Sequence, residues 1–254
     1  MSKIALITGT TSGIGKATAQ LFAAEGYNLI INGRRTEKLK KQAQDLEDSY
    51  GIDVLLMPLD VRNNEAVVEY AKSIPEKWKK INILVNNAGL AAGLESLENG
   101  NVDNWNQMID TNVKGLLYVS QSIIPFLKQT QGQIINIGSI AGKEVYANGN
   151  VYCGTKHMVD ALTKAMRLEL AEYGVKVSAV NPGAVETEFS IVRLDGDLDK
   201  AKNVYVGFEN LVAQDIAAAI WFVASRPKHV TINDLTIMPT AQPQASVIIK
   251  NKGL

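Results

Sequence analysis

Tyr152 and Lys156 stand four residues apart (156 − 152 = 4) in Asn150-Val151-Tyr152-Cys153-Gly154-Thr155-Lys156. On a helix that spacing puts both side chains on one face, about one turn apart. A free phenol has a pKa of about 10 and is a poor base at neutral pH, but a nearby ammonium favours its ionised form. The pair therefore suits proton transfer by Tyr152 with Lys156 tuning it. The same spacing also suits a solvated i,i+4 pair, so the chemistry depends on where the fold puts this helix.

A second group of residues suits the binding of phosphates. Thr8-Gly9-Thr10-Thr11-Ser12-Gly13-Ile14-Gly15 follows the apolar run Ile4–Ile7 and leads into a helical pattern. Glycines allow positive φ and let backbone N–H groups approach a pyrophosphate, and a helix amino terminus favours the anion. Asp60, followed by Val61, is a carboxylate able to accept from an adenine amino group, or a cap for a helix starting near Asn63. Asn86-Asn87-Ala88-Gly89 offers small residues along which a cofactor can lie, and equally a turn tying strands together. Arg34 and Arg35 follow Ile30-Ile31-Asn32-Gly33, and no acid stands there to accept ribose hydroxyls. Adjacent guanidinium forks suit a 2′-phosphate, which predicts NADP(H) over NAD(H).

The elements that must position these groups are legible as an alternation. Apolar runs at Ile4–Ile7, Leu29–Ile31, Val54–Met57, Ile83–Val85, Ile134–Ile137, Val175–Val180 and Leu235–Met238 read as strands covered on both faces. Between them lie helical periodicities such as Ile14, Ala17, Leu21, Ala24 and Ile216, Ala219, Ile220, Val223. Strand–helix alternation with right-handed crossovers gives a doubly wound α/β sheet whose site lies beyond the carboxyl ends of its strands. No repeat or linker divides the chain, so residues 1–254 are expected to form a single domain. The stretch 184–210 has no clear period and is expected to be a substrate flap.

With glycines at 9, 13 and 15, and with Asp60-Val61, Asn86-Asn87-Ala88-Gly89, Ser139, Tyr152 with Lys156, and Pro182-Gly183 each following a strand in order, the chain resembles the short-chain dehydrogenase/reductase family over nearly its whole length. The resemblance implies a Rossmann-type parallel sheet of about seven strands and NADP(H) held by Gly9, Thr11, Ser12, Gly13, Ile14, Gly15, Arg34, Arg35, Asp60, Val61, Asn87, Ala88, Gly89, Tyr152, Lys156, Pro182, Gly183, Val185 and Thr187. It implies that Tyr152 exchanges the alcohol proton, that Lys156 also binds the nicotinamide ribose, and that Ser139 holds the substrate oxygen. Asn112 would distort its helix and fix water in a relay to the lysine, where its residue type alone equally suits a cap or break between helices. Thr187 would touch the carboxamide.

Within the family the chain looks most like NADP-dependent 3-hydroxy acid dehydrogenases acting on serine and allo-threonine, from which Cys153 and Gln214 are departures. Such a substrate brings a carboxylate, and Arg193, the only arginine of the flap, is the expected partner. The alternatives are a general NADPH-dependent carbonyl reductase for uncharged ketones, which has no use for Arg193, and a non-catalytic dinucleotide-binding regulator, which has no need for the full set of Asn112, Ser139, Tyr152 and Lys156. The family also implies a homotetramer or homodimer through the helices around Leu116–Phe126 and Val159–Leu170.

Composition excludes other classes. With 26 basic and 26 acidic residues, and basic runs no longer than pairs, neither nucleic acid nor an anionic membrane is an expected partner. Cys153 is the only cysteine and is read as a packed thiol. The two histidines, His157 and His229, lack metal-ligand spacing. One cysteine without a disulfide framework, and an amino terminus without a signal-like core, point to the cytoplasm.

Overall fold

A computed structural model of the chain describes residues 2–194 and 196–250. Met1, Asp195 and residues 251–254, which fall within the expected single domain and flap, lie outside the described residues.

All seven expected strands form one parallel sheet: β1 (Ile4–Ile7), β2 (Asn28–Asn32), β3 (Val54–Met57), β4 (Ile81–Asn86), β5 (Gln133–Ile137), β6 (Lys176–Pro182) and, last in the chain, β9 (Asp234–Ile237). The spatial order is β3-β2-β1-β4-β5-β6-β9. In the five inner strands the apolar runs follow from burial on both faces, because side chains alternate along each strand, whereas the edge strands depart from that expectation: β9 alternates exposed Asp234 and Thr236 with part-buried Leu235 and Ile237, and β3 is only part-buried before Met57. Ala5 and Ile7 of β1 face a core with Phe22, Leu39, Leu46, Ile216, Ile220 and Val223, whereas Ile4 and Leu6 face one with Val67, Val119, Ile123, Leu127, Val159 and Met166. Helices α1 (Gly13–Ala24), α2 (Thr36–Tyr50) and α9 (Ala213–Ala224) thus cover one face, and α3 (Asn64–Ser73), α5 (Leu116–Thr130) and α6 (Asn150–Leu170) the other.

In α1 the buried stripe is not the one the periodicity predicts. Ala17 is buried but Leu21 only partly, and Ala24 is exposed; Gly15, Thr18, Ala19, Phe22 and Ala23 are buried instead. The helix is rotated because its largest side chain, Phe22, packs edge-on against both Tyr27 and Trp221, with ring centroids 5.3 and 5.2 Å away. In α9, Ile216, Ala219, Ile220 and Val223 are buried as expected.

Sheet order reverses between β1 and β4, so the loops leaving these strands part in opposite directions and open a cleft at their carboxyl ends. The flap sequence is more ordered than a plain loop. It contains β7 (Val185–Glu186), α7 (Glu188–Arg193) and α8 (Leu198–Asn203), and β7 pairs in parallel with β8 (Leu211–Val212). Each helix is too short to show a period in sequence, but Thr187 caps α7 and Asp197 caps α8 through side-chain oxygens that accept from Phe189 and Lys200 backbone N–H.

Candidate functional site

The glycine loop is built by cross-strand ties as much as by its glycines. Gly9 takes φ +69°, a left-handed value that other residues resist. A Cβ on Gly15 would strike the Gly9 carbonyl and the Asn87 amide, so the helix can sit this close to the loop only as glycine. The Gly9 N–H donates to Asn32 Oδ1 at 3.3 Å, and Asn32 Nδ2 donates to the Met57 and Leu59 carbonyls at 2.9 and 3.0 Å. Thr8 Oγ1 accepts from the Asn87 and Ala88 N–H groups at 3.0 and 2.9 Å, while Asn87 Nδ2 donates to the Thr8 and Gly9 carbonyls. Asn87 therefore fastens β4 to β1 with its side chain, and Ala88 and Gly89 are left to face the cleft.

The amino terminus of α1 has no side-chain cap and no acidic residue in its first turn, which leaves its N–H groups open to an anion. Thr11, Ser12, Gly13 and Ile14 line a cleft of about 620 Å³ that runs past Arg34, Arg35, Asp60 and Val61 at one end and Ser139, Tyr152, Lys156 and Arg193 at the other. Pro182, Gly183, Val185 and Thr187 line it from the flap side. An uncapped helix start, two arginines beyond it and a cleft leading to a buried lysine fit a phosphorylated dinucleotide.

Asp60 does not cap α3; Asn63 does, with its side chain accepting from Ala66 N. The Asp60 carboxylate is instead gripped by Arg62, with Nε donating to both oxygens at 3.1 and 3.0 Å and Nη2 to Oδ2 at 2.7 Å, and Arg34 lies 3.8 Å away. Partial burial pushes the Asp60 carboxyl up, but the hydrogen bonds and charge of Arg62, with the charge of Arg34, outweigh it and hold the group below its ordinary value.

At the other end Lys156 is buried in α6 and donates to the Ile137 carbonyl at 2.9 Å, which uses one of its three N–H donors. Burial pushes its pKa down to about 8. One turn earlier Tyr152 is buried as well, its ring edge-on to Phe189 of the flap at 5.7 Å. Burial first, then the neighbouring Tyr146, pushes the Tyr152 hydroxyl above its ordinary value, while a hydrogen bond with Ser139 and the charge of Arg193 act in the opposite direction. The expectation that Lys156 brings Tyr152 toward neutrality is corrected here. Its ammonium is 6.0 Å from the ring centroid and committed to Ile137, and desolvation of the phenolate prevails in the chain by itself. Ser139 also accepts from Ala141 N at 3.1 Å, which fixes its hydroxyl at the end of β5.

Asn112 sits in a π-helical segment, Asp110–Gly115, that joins α4 (Val102–Ile109) to α5. The family resemblance leads one to expect such a distortion. Its amide accepts from Leu90 N and donates to Leu90 O, both at 2.8 Å, and donates to Thr155 Oγ1 at 3.1 Å. It thereby locks the loop after β4 to α6 beside Lys156.

Arg193, at the end of α7, turns its side chain into the cleft. Its guanidinium lies 5.4 Å from the Tyr146 ring and 5.6 Å from the Tyr152 ring, and among the described residues its buried Nε and Nη2 have no hydrogen-bond partner. Its backbone carbonyl accepts from Gly93 N at 3.0 Å, which pins the helix end to the loop beyond β4. Tyr146, Phe189, Asn32 and Thr8 also shape the site, and sequence reasoning misses all four. For Asn32 a signal exists, a polar residue ending an otherwise apolar strand; for Tyr146 and Phe189 there is none. Cys153 is buried in the small apolar cluster beneath Tyr152. Among the described residues no group of three or more His, Cys, Asp or Glu side chains is arranged to hold a metal.

This glycine loop, switch-point cleft and Ser–Tyr–Lys cluster stand in a chain that belongs to the short-chain dehydrogenase family, whose model matches residues 3–196. It is similar to the NADP-dependent 3-hydroxy acid dehydrogenase YdfG of Salmonella typhi, with 44% identity over 97% of this chain and 98% of that protein. It is also similar to serine 3-dehydrogenase of Rhizobium radiobacter, with 40% identity over 95% of this chain and 96% of the relative. Among solved structures, the closed form of serine dehydrogenase complexed with NADP+ superposes with a TM-score of 0.90 and 41% identity, over 98% of this chain and all of that one.

Proposed function

We propose that the protein is an NADP(H)-dependent oxidoreductase that interconverts small 3-hydroxy acids, such as serine or allo-threonine, with the corresponding carbonyl compounds, using Tyr152 as general acid and base. The single observation that carries the substrate class is Arg193. A guanidinium edge desolvated without a partner among the described residues, over the ring of the tyrosine proposed to transfer the proton, is costly unless a carboxylate completes it. The curated relatives named for 3-hydroxy acids and for serine support the same class.

NADP(H), when bound, supplies the hydride acceptor or donor. The chain's own residues do the rest. Ser139 donates to the substrate oxygen and steadies charge that develops there. Tyr152, held protonated by burial, gives its proton to that oxygen in reduction and must receive one in oxidation. Lys156 offers its two remaining N–H donors to ribose hydroxyls, and Asn112 fixes the loop of Gly89 and Leu90 against α6. Phe189 and the flap shield the reacting centre from water. Arg34 and Arg35 supply positive charge for the 2′-phosphate, and Thr187, whose side chain lies against Gly13, stands over the pyrophosphate loop.

Assembly into a dimer or tetramer is part of the same reading. Leu168 and Met158 of α6 are 81% and 47% exposed, which suits a face covered by a second copy. Light scattering on the purified protein tests it. Among the described residues no helix is long and apolar enough to cross a membrane.

The deciding experiment follows absorbance of NADPH with β-hydroxy acids and with neutral secondary alcohols of equal size. Turnover of the acids at a kcat/KM well above that of the alcohols is expected. Turnover of uncharged ketones and alcohols with no activity on the acids would make the protein a general carbonyl reductase.

A further inference from the structure

The two arginines at the end of β2 are not equivalent. Arg35 is almost fully engaged: Nε and Nη2 donate to Thr11 Oγ1 at 3.1 and 3.0 Å, Nη2 donates also to the Thr11 carbonyl at 3.2 Å, and Nη1 donates to Glu188 Oε2 at 3.0 Å. Among the described residues Arg34 has only the distant carboxylate of Asp60, which Arg62 already neutralises. Glu188 is the first residue of α7, 153 residues further along the chain, so this ion pair joins the flap to the dinucleotide loop. Partial burial pushes the Glu188 carboxyl up, but the hydrogen bond and charge of Arg35, a hydrogen bond from Ser12 and the charge of Lys38 keep it below its ordinary value.

A carboxylate that accepts from Arg35, in a cleft also lined by Ser12 at the start of α1, occupies a position that suits an anion. Arg35, which holds it, is one of the two arginines proposed above to receive the cofactor's 2′-phosphate. A dianionic 2′-phosphate arriving there meets a like charge on Glu188 and competes with it for Nη1 of Arg35.

We propose that Glu188 is a cofactor-discriminating residue: in the free protein its carboxylate holds the anion position on Arg35, and the 2′-phosphate of NADP(H) takes that position over, so that phosphate binding and release of the flap contact are one event. This rests on the NADP(H) reading above. NAD(H), lacking the phosphate, leaves the Arg35–Glu188 pair in place. Arg34 provides the charge that is free from the start, and Arg35 becomes available only when the flap lets go. Discrimination then contains a mechanical component, because the end of the cofactor remote from the reaction acts on the helix that carries Phe189 and Arg193 to Tyr152.

The test is Glu188→Gln, which keeps the shape and removes the charge at an exposed position. Binding of NADP+ and NAD+ is measured by calorimetry at low salt and again at about 0.5 M salt. An exposed ion pair is worth up to about a fivefold change in an equilibrium. NADP+ is therefore expected to bind about two- to fivefold more tightly to the variant, with NAD+ changed less than about 1.5-fold and the NADP+ gain reduced in high salt. Amide exchange across 187–194 should be faster than in the parent when both are free and equal when both are saturated with NADP+. Unchanged or weaker NADP+ binding, an equal gain for NAD+, or a flap that differs from the parent only in the NADP+ complex would each overturn the inference. A parent protein that binds NAD+ as tightly as NADP+ would instead overturn the cofactor reading itself.

Discussion

Arg193→Ala separates the two substrate classes by a margin set by its geometry. Nε and Nη2 form one edge of the guanidinium, and both lack partners among the described residues, so a carboxylate can take both in parallel. Hydrogen bonds to charged groups contribute about 1.5–3 kcal/mol each. Arg193 is half-buried, so the low end applies, and two such bonds amount to about 3 kcal/mol, roughly 150-fold in kcat/KM. The loss should fall mainly on KM, because the carboxylate is held alike in ground and transition states. Neutral alcohols should feel only Arg193's second effect, its positive charge beside Tyr152. Removing that charge raises the Tyr152 pKa of the free enzyme further, so the alkaline rise of kcat/KM for oxidation moves to higher pH for acids and alcohols equally. The assay is initial-rate kinetics with a β-hydroxy acid and with the alcohol that replaces its carboxylate by methyl, each across pH. Equal losses of kcat/KM for both substrates at every pH would refute carboxylate recognition and leave Arg193 as a packing residue against Tyr146.

Tyr152→Phe should abolish turnover by at least the ~10²–10⁴-fold of a general acid–base group, with NADP+ binding by fluorescence retained; near-normal turnover would refute its role. In the parent protein, reduction should be favoured at neutral pH and oxidation should climb into the alkaline range, because burial holds the phenol protonated; an oxidation rate that peaks below pH 7 would contradict this. Arg34→Ala should weaken NADP+ by more than Arg35→Ala does, since Arg35 also gives up Glu188 to bind, and neither should weaken NAD+ comparably; a calorimetric ranking in the opposite order would refute the division of labour. Lys156 has a folded pKa of about 8, below its unfolded value, so the penalty for burying its charge is fully present below pH 8 and is relieved as pH rises toward about 10.5. Measured by urea denaturation without cofactor, the parent should therefore gain stability on a Lys156→Met variant between pH 8 and 10; a constant difference would place the ammonium in water.

Much of this molecule is legible in its sequence because the signals are local. Seven apolar runs become the seven strands of the sheet, since an inner strand buried on both faces needs no pattern except continuity, and only the edge strands β3 and β9 are less covered than their runs suggest. The glycine loop, Asp60-Val61, Asn87 to Gly89, Ser139, Tyr152 and Lys156 converge on one cleft because each follows a parallel strand, and parallel strands end on the same edge. The rotation of one helix is not legible: in α1 both candidate stripes are apolar, and only the fit of Phe22 between Tyr27 and Trp221 chooses one. Nor is the internal structure of the flap, whose helices span fewer than two full turns and are specified by capping oxygens instead of periodicity.

The layer that holds the site residues at their angles is scarcely legible in sequence, a polar residue at the end of β2 being its one trace. Thr8 reaches Asn87 across 79 positions and Asn32 holds Gly9 across 23, and a side chain that acts by bonding a distant backbone has no neighbours in sequence to betray it. The correction at Tyr152 has the same origin. Spacing brings an ammonium and a phenol to one helix face, but the pKa depends on what else the fold packs there. Around Tyr152 it packs Phe189, Tyr146 and an apolar cluster, and directs the lysine to Ile137. Desolvation then exceeds an attraction spread over 6.0 Å to the ring centre. A tyrosine kept neutral this way is ready to donate its proton and slow to accept one. The groups that ease its ionisation are Ser139 and Arg193, so the residue proposed to recognise the substrate's carboxylate also tunes the group that moves its proton. When a carboxylate binds and neutralises Arg193, that help is withdrawn. A bound acid should therefore raise the pKa seen in the kcat profile of its own oxidation above that of a neutral alcohol, while the kcat/KM profiles of the parent enzyme coincide.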